Sequence, residues 1–166
     1  MFNKKNVSVV ISTYREKNSI RTFIDKCYET GYVDEVIVVN NNAEPGTVEE
    51  VAMTNAKLVH EHRQGYGYGY RRGLKEAQGD YIIMTEADGT FCPSDFEKLL
   101  IYGKSYPFVI GSRTANHSII KGANMGHFLK WGNWTVAKMI EVLFLTTQLD
   151  DVGCTTRLIH KSTLEK

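Results

Sequence analysis

Glu86 and Asp88 are two carboxylates separated by one residue, and only Thr85 divides them from the apolar run Tyr81-Ile82-Ile83-Met84. A pair at that spacing, at the end of a strand, can reach one divalent cation. Mg²⁺ or Mn²⁺ prefers oxygen ligands of this kind and commonly bridges to phosphates. The plainer reading is a solvated acidic turn, because Asp88-Gly89 is a turn pair. Arg113 and Arg157 are candidates for phosphate binding, since a planar guanidinium meets phosphate oxygens in a fork; a surface arginine is the default for each. The five histidines show no metal spacing. Cys27, Cys92 and Cys154 show neither zinc spacing nor a disulfide framework, which fits a reducing compartment.

These residues need a scaffold, and the 166-residue chain suits a single domain. A net charge of +1 excludes a strongly basic nucleic-acid binder and an acidic tail. No apolar run approaches the ~20 residues of a membrane span. The opening Met1-Phe2-Asn3-Lys4-Lys5-Asn6 has no signal-peptide core, so the expected location is cytoplasmic. Asn116-His117-Ser118 and Asn133-Trp134-Thr135 match the glycosylation sequon and, without a secretion signal, read as chance.

Apolar β-branched runs predict strands over 7–11, 36–39, 56–60, 81–84 and 108–110. Helical spacing is present over 20–29, with Gly31 as a stop, and over 47–55 and about 126–146. Ser94 and Glu97, after Pro93, have capping-box spacing for a further helix. Trp131 and Trp134 on the last helix read as core or interface residues, with a sugar-stacking platform as the alternative. Strands alternate with helices, and the strands are apolar throughout. That pattern predicts one α/β domain, a Rossmann-like mostly parallel sheet with helices on both faces. Ligands of such sheets sit at the carboxyl ends of the strands. The polar residues that follow each strand therefore carry the function.

Those segments are Ser12-Thr13-Tyr14-Arg15-Glu16, Asn40-Asn41-Asn42, His62-Arg63-Gln64, Thr85 to Gly89, and Gly111-Ser112-Arg113. The stretch from Gly65 to Gly73 is read as a loop that lets backbone approach a ligand, with Arg71 and Arg72 as anion partners, running into a helix that ends near Gly79. Gly67-Tyr68-Gly69 also suggests a dinucleotide fingerprint and hence an NAD-binding oxidoreductase. The spacing to Gly73 is one residue too long, and the stretch follows the third strand instead of the first.

Taken in order, these motifs resemble family 2 glycosyltransferases. Val9 to Glu16 is similar to their V-I-P-x-Y-N-E opening, with Ser12 for the proline and Arg15 for the asparagine. Asp34 to Asn41 resembles D-E-I-I-V-V-D-D, with Asn40 uncharged where an aspartate is usual. Gly65 to Gly73 and Ala77 to Ile82 resemble the glycine run and A-x-G-D-Y-I. Glu86-Ala87-Asp88 falls at the D-x-D metal motif, Gly111-Ser112-Arg113 resembles the G-S-R of the dolichyl- and polyprenyl-phosphate sugar transferases, and Asp151 to Arg157 resembles their D-x-x-C/S-G-F-R.

The resemblance implies a GT-A fold over 1–166, short of the C-terminal part of the usual domain, a nucleotide-sugar donor and Mg²⁺ or Mn²⁺. It implies that Thr13, Tyr14, Glu16, Asn40, Gly69, Arg72 and Glu86 bind the donor, that Asp88 with Glu86 holds the metal, and that Arg113 and Arg157 hold phosphates. Asp151 is the candidate base or acceptor-positioning group, with Asp150 the runner-up and Asp88 the other catalytic candidate. The implied acceptor is a lipid phosphate or a glycan, reached by peripheral contact with the cytoplasmic face of a membrane. A binding or assembly module of the same fold, without turnover, is the alternative.

Overall fold

The computed structural model describes residues 1–112, 127–146, 149 and 151–165. The chain divides into two compact units, one of Met1–Val109 with Thr156–Lys166, the other of Ile110–Thr155. Strands β1 (Val7–Thr13), β2 (Glu35–Asn40), β3 (Lys57–His60), β4 (Tyr81–Thr85), β5 (Phe108–Ile110) and β6 (Arg157–His160) form one sheet in the order β3-β2-β1-β4-β6-β5. The pairs β1–β2, β1–β4 and β2–β3 are parallel, and β4–β6 is antiparallel. Helices α1 (Lys17–Glu29), α2 (Thr47–Ala52), α3 (Tyr66–Glu76), α4 (Phe96–Gly103), α5 (His127–Phe144) and α6 (Lys161–Leu164) alternate with the strands.

The strands are apolar throughout because both faces of the sheet are covered. On one face Val9, Ile11, Val36, Val38 and Ile83 pack with Ile20, Phe23 and Ile24 of α1 and with Phe96 and Leu100 of α4. On the other Val10, Ile37, Val39 and Ile82 pack with Tyr70 and Ala77. Successive residues of β1 thus point to opposite cores, the period-two geometry of a strand.

Two expectations need correction, one is narrowed and one strand was missed. The glycine stretch is not a loop: Gly67, Gly69 and Gly73 lie inside α3, which ends at Glu76. A Cβ on Gly73 would stand 2.2 Å from Val10 Cγ1 and 3.0 Å from Val39 Cγ2. The missing side chain lets the helix lie directly on the sheet. The capping box is not formed. Pro93–Asp95 makes a 3₁₀ turn ahead of α4, no side chain caps either element, and Ser94 Oγ donates to Cys92 Sγ. Strand β6 was not anticipated, because only Leu158 of its four residues is fully buried. Trp131 and Trp134 are exposed on α5, which excludes the core half of their core-or-interface reading.

Candidate active site at the carboxyl edge of the sheet

Strands β1, β2 and β4 run parallel and end on one edge. The chain moves outward from β1 to β2 and β3 on one side, then returns to place β4 on the other. Ligands of open sheets bind where the strand order reverses in this way. By that rule the candidate crevice lies between the segments that follow β1 and β4.

The segment after β1 is organised by Glu16. Its Oε2 accepts from Thr13 Oγ1 at 2.9 Å and from the backbone N–H groups of Tyr14 at 2.6 Å and Arg15 at 2.9 Å. One carboxylate oxygen thereby closes the turn and aims two consecutive residues. Thr13 is buried, whereas the Tyr14 ring is 46% exposed with the Arg15 guanidinium 5.1 Å from its centre. Tyr14 is the exposed side of this turn.

Asn40 ends β2, in register with Thr13 on one side and His60 on the other. Its Oδ1 accepts from the Ala43 N–H at 2.9 Å, which commits the oxygen. The next residue, Asn41, is 6% exposed and was not assigned a role from the sequence. Its Nδ2 donates to the carbonyls of Glu61 and Arg63, both at 2.8 Å, and its Oδ1 accepts from the Gly65 N–H at 2.9 Å. Asn41 therefore ties the end of β2 to the start of α3. An asparagine just beyond a buried strand was the available signal, masked by its two asparagine neighbours.

Gly69 sits on α3 against Ser12 and Asn41. Arg72, one turn on, is turned to Glu76, with Nη2 to Oε1 at 2.8 Å, and Glu76 also receives Lys57 at 2.8 Å. Its charge is engaged along the helix. Arg63 is paired with Glu61 at 3.1 Å and lies over the Tyr68 ring, and that guanidinium holds the Glu61 carboxyl down at about 2.

Beyond β4, Glu86 is half-buried, Ala87 buried and Asp88 exposed. Ser19 Oγ of α1 donates to the Ala87 carbonyl and pins this turn to the side of the crevice. Asp88 Oδ1 accepts from the Thr90 N–H at 2.9 Å and Thr90 Oγ1 at 2.6 Å. Its Oδ2 takes no hydrogen bond among the described residues. Tyr70 OH donates to the Thr85 carbonyl at 2.7 Å. Burial pushes the Tyr70 phenol far above its ordinary value, and neighbouring Tyr66, Glu86 and Glu16 add to the rise.

Among the described residues no cluster of three or more His, Cys, Asp or Glu could enclose a metal ion. Two carboxylates, one with an unengaged oxygen, suit the kind of Mg²⁺ or Mn²⁺ site in which substrate phosphates complete the shell. Arg157 opens β6 in register with Met84, at the carboxyl end of β4, next to the buried Thr85–Thr156 hydroxyl pair at 3.0 Å. Arg113 and Asp150 lie outside the described residues. In the second unit Asp151 is 3% exposed, and its Oδ1 accepts from Asn133 Nδ2 at 2.7 Å and from the Gly153 N–H at 3.0 Å. Asn133 belongs to the sequon read as chance, and its amide is spent inside the protein.

The family model described as "Glycosyl transferase family 2" matches residues 8–166. The chain is 28% identical over 119 residues to a dolichol-phosphate mannosyltransferase of Saccharomyces cerevisiae, covering 65% of this chain and 45% of that protein. It is 29% identical over 123 residues to an undecaprenyl-phosphate 4-deoxy-4-formamido-L-arabinose transferase of Pectobacterium carotovorum, covering 68% and 38%. Among solved structures, it is similar to glucosyl-3-phosphoglycerate synthase from Mycobacterium tuberculosis in complex with Mn²⁺, uridine diphosphate and glucosyl-3-phosphoglycerate, with a TM-score of 0.74, 17% identity, and coverage of 97% of this chain and 58% of that one. The shared architecture is the GT-A fold expected from the sequence. The chain spans less than half the length of the curated relatives named here.

Proposed function

The chain belongs to glycosyl transferase family 2, and from that premise we propose that it transfers a sugar from a nucleoside-diphosphate donor to a polyprenyl phosphate, assisted by Mg²⁺ or Mn²⁺. One observation carries the reading. The Thr13–Glu16 turn and the Glu86–Asp88 pair flank the point where the strand order reverses. The relatives named for dolichol- and undecaprenyl-phosphate transfer support the choice of acceptor.

In this reading Thr13, Tyr14 and Glu16 hold the nucleoside, and Asn40 offers it an amide donor. Gly69 leaves room beside them. Asp88, with Glu86 behind it, would hold the cation. When bound, the cation would offset the negative charge that grows on the diphosphate as the glycosidic bond breaks, the stabilisation a preorganised site supplies best. Arg157 and Arg113 add guanidinium forks for donor or acceptor phosphates. Arg72 serves the helix, through Glu76, more than the donor.

A phosphate monoester has its second pKa near 6, so a polyprenyl phosphate is already an anionic nucleophile at neutral pH. No strong base is then required, and Asp151 acts by positioning the acceptor. A sugar hydroxyl would instead need Asp151 as general base. A lipid acceptor places the work at a membrane surface, on the cytoplasmic side. We propose peripheral contact for this part of the protein; among the described residues no helix is long and apolar enough to cross a membrane.

The test is transfer of radiolabelled sugar from UDP-glucose or GDP-mannose to dolichyl or undecaprenyl phosphate, followed by extraction into organic solvent. Label in the organic phase that requires Mn²⁺ is the expected result. Donor binding with no lipid-linked or hydrolysed product would instead identify a binding module.

A further inference from the structure

We propose that Glu44 is a positioning residue for the nucleoside, acting through Tyr14; this rests on the reading above, in which Tyr14 holds that part of the donor. Glu44 lies in the loop after β2 and makes two bonds to the segment after β1. Its N–H donates to the Tyr14 carbonyl at 2.8 Å, and its Oε1 accepts from the Lys17 N–H at 3.0 Å. The Tyr14 N–H already goes to Glu16 Oε2 at 2.6 Å. Both backbone polar groups of Tyr14 are therefore engaged, one by each glutamate, and the exposed ring is carried on a backbone fixed from two sides.

The local sequence holds Glu44 in place. Asn40 Oδ1 accepts from the Ala43 N–H at 2.9 Å and closes the turn that delivers it. Glu44-Pro45-Gly46-Thr47 is a second turn, with the Thr47 N–H donating to the Glu44 carbonyl at 3.2 Å and Gly46 at φ 94°. Proline then left-handed glycine is the type II pattern. The Lys17 N–H is one of the orphan donors at the start of α1, which has no acidic residue in its first turn and no side-chain cap. Glu44 supplies that cap from 27 positions away and so stabilises α1 in its own right. The same bond locks the two segments that the reading assigns to the nucleoside, Thr13–Glu16 and Asn40, into one preorganised unit. A contact held in place before binding loses less on binding.

A cap and a positioning residue differ in how their loss combines with the loss of Tyr14. Titration calorimetry of UDP and GDP, with and without Mn²⁺, is run on the wild-type chain, Glu44→Ala, Glu44→Gln, Tyr14→Ala and the double variant Glu44→Ala with Tyr14→Ala, with melting temperatures alongside. For the nucleotide that binds, Glu44→Ala is expected to raise Kd at least five-fold. Glu44→Gln keeps an acceptor oxygen for Lys17 and is expected to stay within two-fold of wild type. In the Tyr14→Ala background Glu44→Ala is expected to change Kd less than two-fold, because contacting residues that act as a unit do not add. The ratio of Kd without and with Mn²⁺ is expected to hold within two-fold in Glu44→Ala, since the cation is assigned to Asp88 and Glu86.

A lowered melting temperature with unchanged Kd in Glu44→Ala, equal weakening in the Tyr14→Ala background, or a changed Mn²⁺ ratio would overturn the proposal and leave Glu44 a helix cap. If Glu44→Ala does not fold, Glu44→Met, which has similar length and no oxygen, takes its place in the cycle; failure of both to fold also overturns it. A wild-type chain that binds neither UDP nor GDP overturns the functional reading itself, which is distinguishable because no variant is involved.

Discussion

Gly69 of α3 lies against Ser12 at the end of β1 so closely that a Cβ on the glycine would stand 2.2 Å from the serine Oγ. Gly73, one turn later, makes the same approach to Val10 and Val39. The two contacts seat α3 on the sheet and bring its first turn beside the crevice between β1 and β4.

The two glycines should respond differently to alanine. At Gly73 the obstacle is a pair of β-branched core valines, which cannot rotate away. Gly73→Ala is expected to destabilise by about 1–3 kcal/mol, the usual cost of overpacking, despite the roughly 1 kcal/mol that alanine gains over glycine in a helix. At Gly69 the nearest obstacle is a hydroxyl. Gly69→Ala should cost less, and adding Ser12→Ala should recover most of the loss. Urea denaturation of the single and double variants measures both.

Asn41 should be among the costliest polar residues to remove. Asn41→Ala strands two carbonyls and one N–H in a part-buried setting. A loss of about 2–3 kcal/mol is expected, from unsatisfied buried groups at 1–3 kcal/mol each with partial rescue by water. Asn41→Asp should be no better, because it turns a carboxylate toward two carbonyl oxygens. Thermal denaturation gives the size, and hydrogen exchange at the Gly65 amide shows whether the tie itself has opened.

Stability should fall in alkali through two buried acids. Burial pushes the Cys27 thiol up to about 12, and Tyr70 is pushed higher than its ordinary value of 10. A raised folded pKa means that the folded state holds its proton more tightly than the unfolded chain. The associated stability is complete below the unfolded values near 9 and 10, and is lost as pH rises through the folded ones. Denaturation midpoints should be flat from pH 7 to about 8.5 and fall above pH 9 as the unfolded thiol and phenol ionise. Tyr70→Phe should flatten the part of that fall beginning near pH 10. A slope unchanged in that variant would contradict the assignment.

How much of this was written in the chain depends on what each residue does. Val9, Ile11, Val36, Val38 and Ile83 announce buried strands because both faces of the sheet are covered, so the apolar run is unbroken. The position of Glu86 and Asp88 just beyond β4 was legible because the apolar run before them marks a buried strand. The glycines misled because breaking a helix and permitting close approach use the same residue. Only the positions of Val10 and Ser12 across the sheet tell them apart. Arg157–His160 failed as a strand signal because its pairing with β4 is antiparallel and partly exposed. Asn41 and Asn133 act through hydrogen bonds 18 to 24 residues away in sequence, which no local pattern reveals.

The central claim is that Asp88, with Glu86 behind it, binds a metal–diphosphate in the crevice between β1 and β4. Titration calorimetry of UDP-glucose and GDP-mannose, with and without Mn²⁺, on the wild-type chain and Asp88→Ala addresses it most directly. The account predicts binding of one of these donors that depends on Mn²⁺ and weakens at least ten-fold in Asp88→Ala. Binding of equal strength without Mn²⁺, or untouched by the substitution, would contradict it.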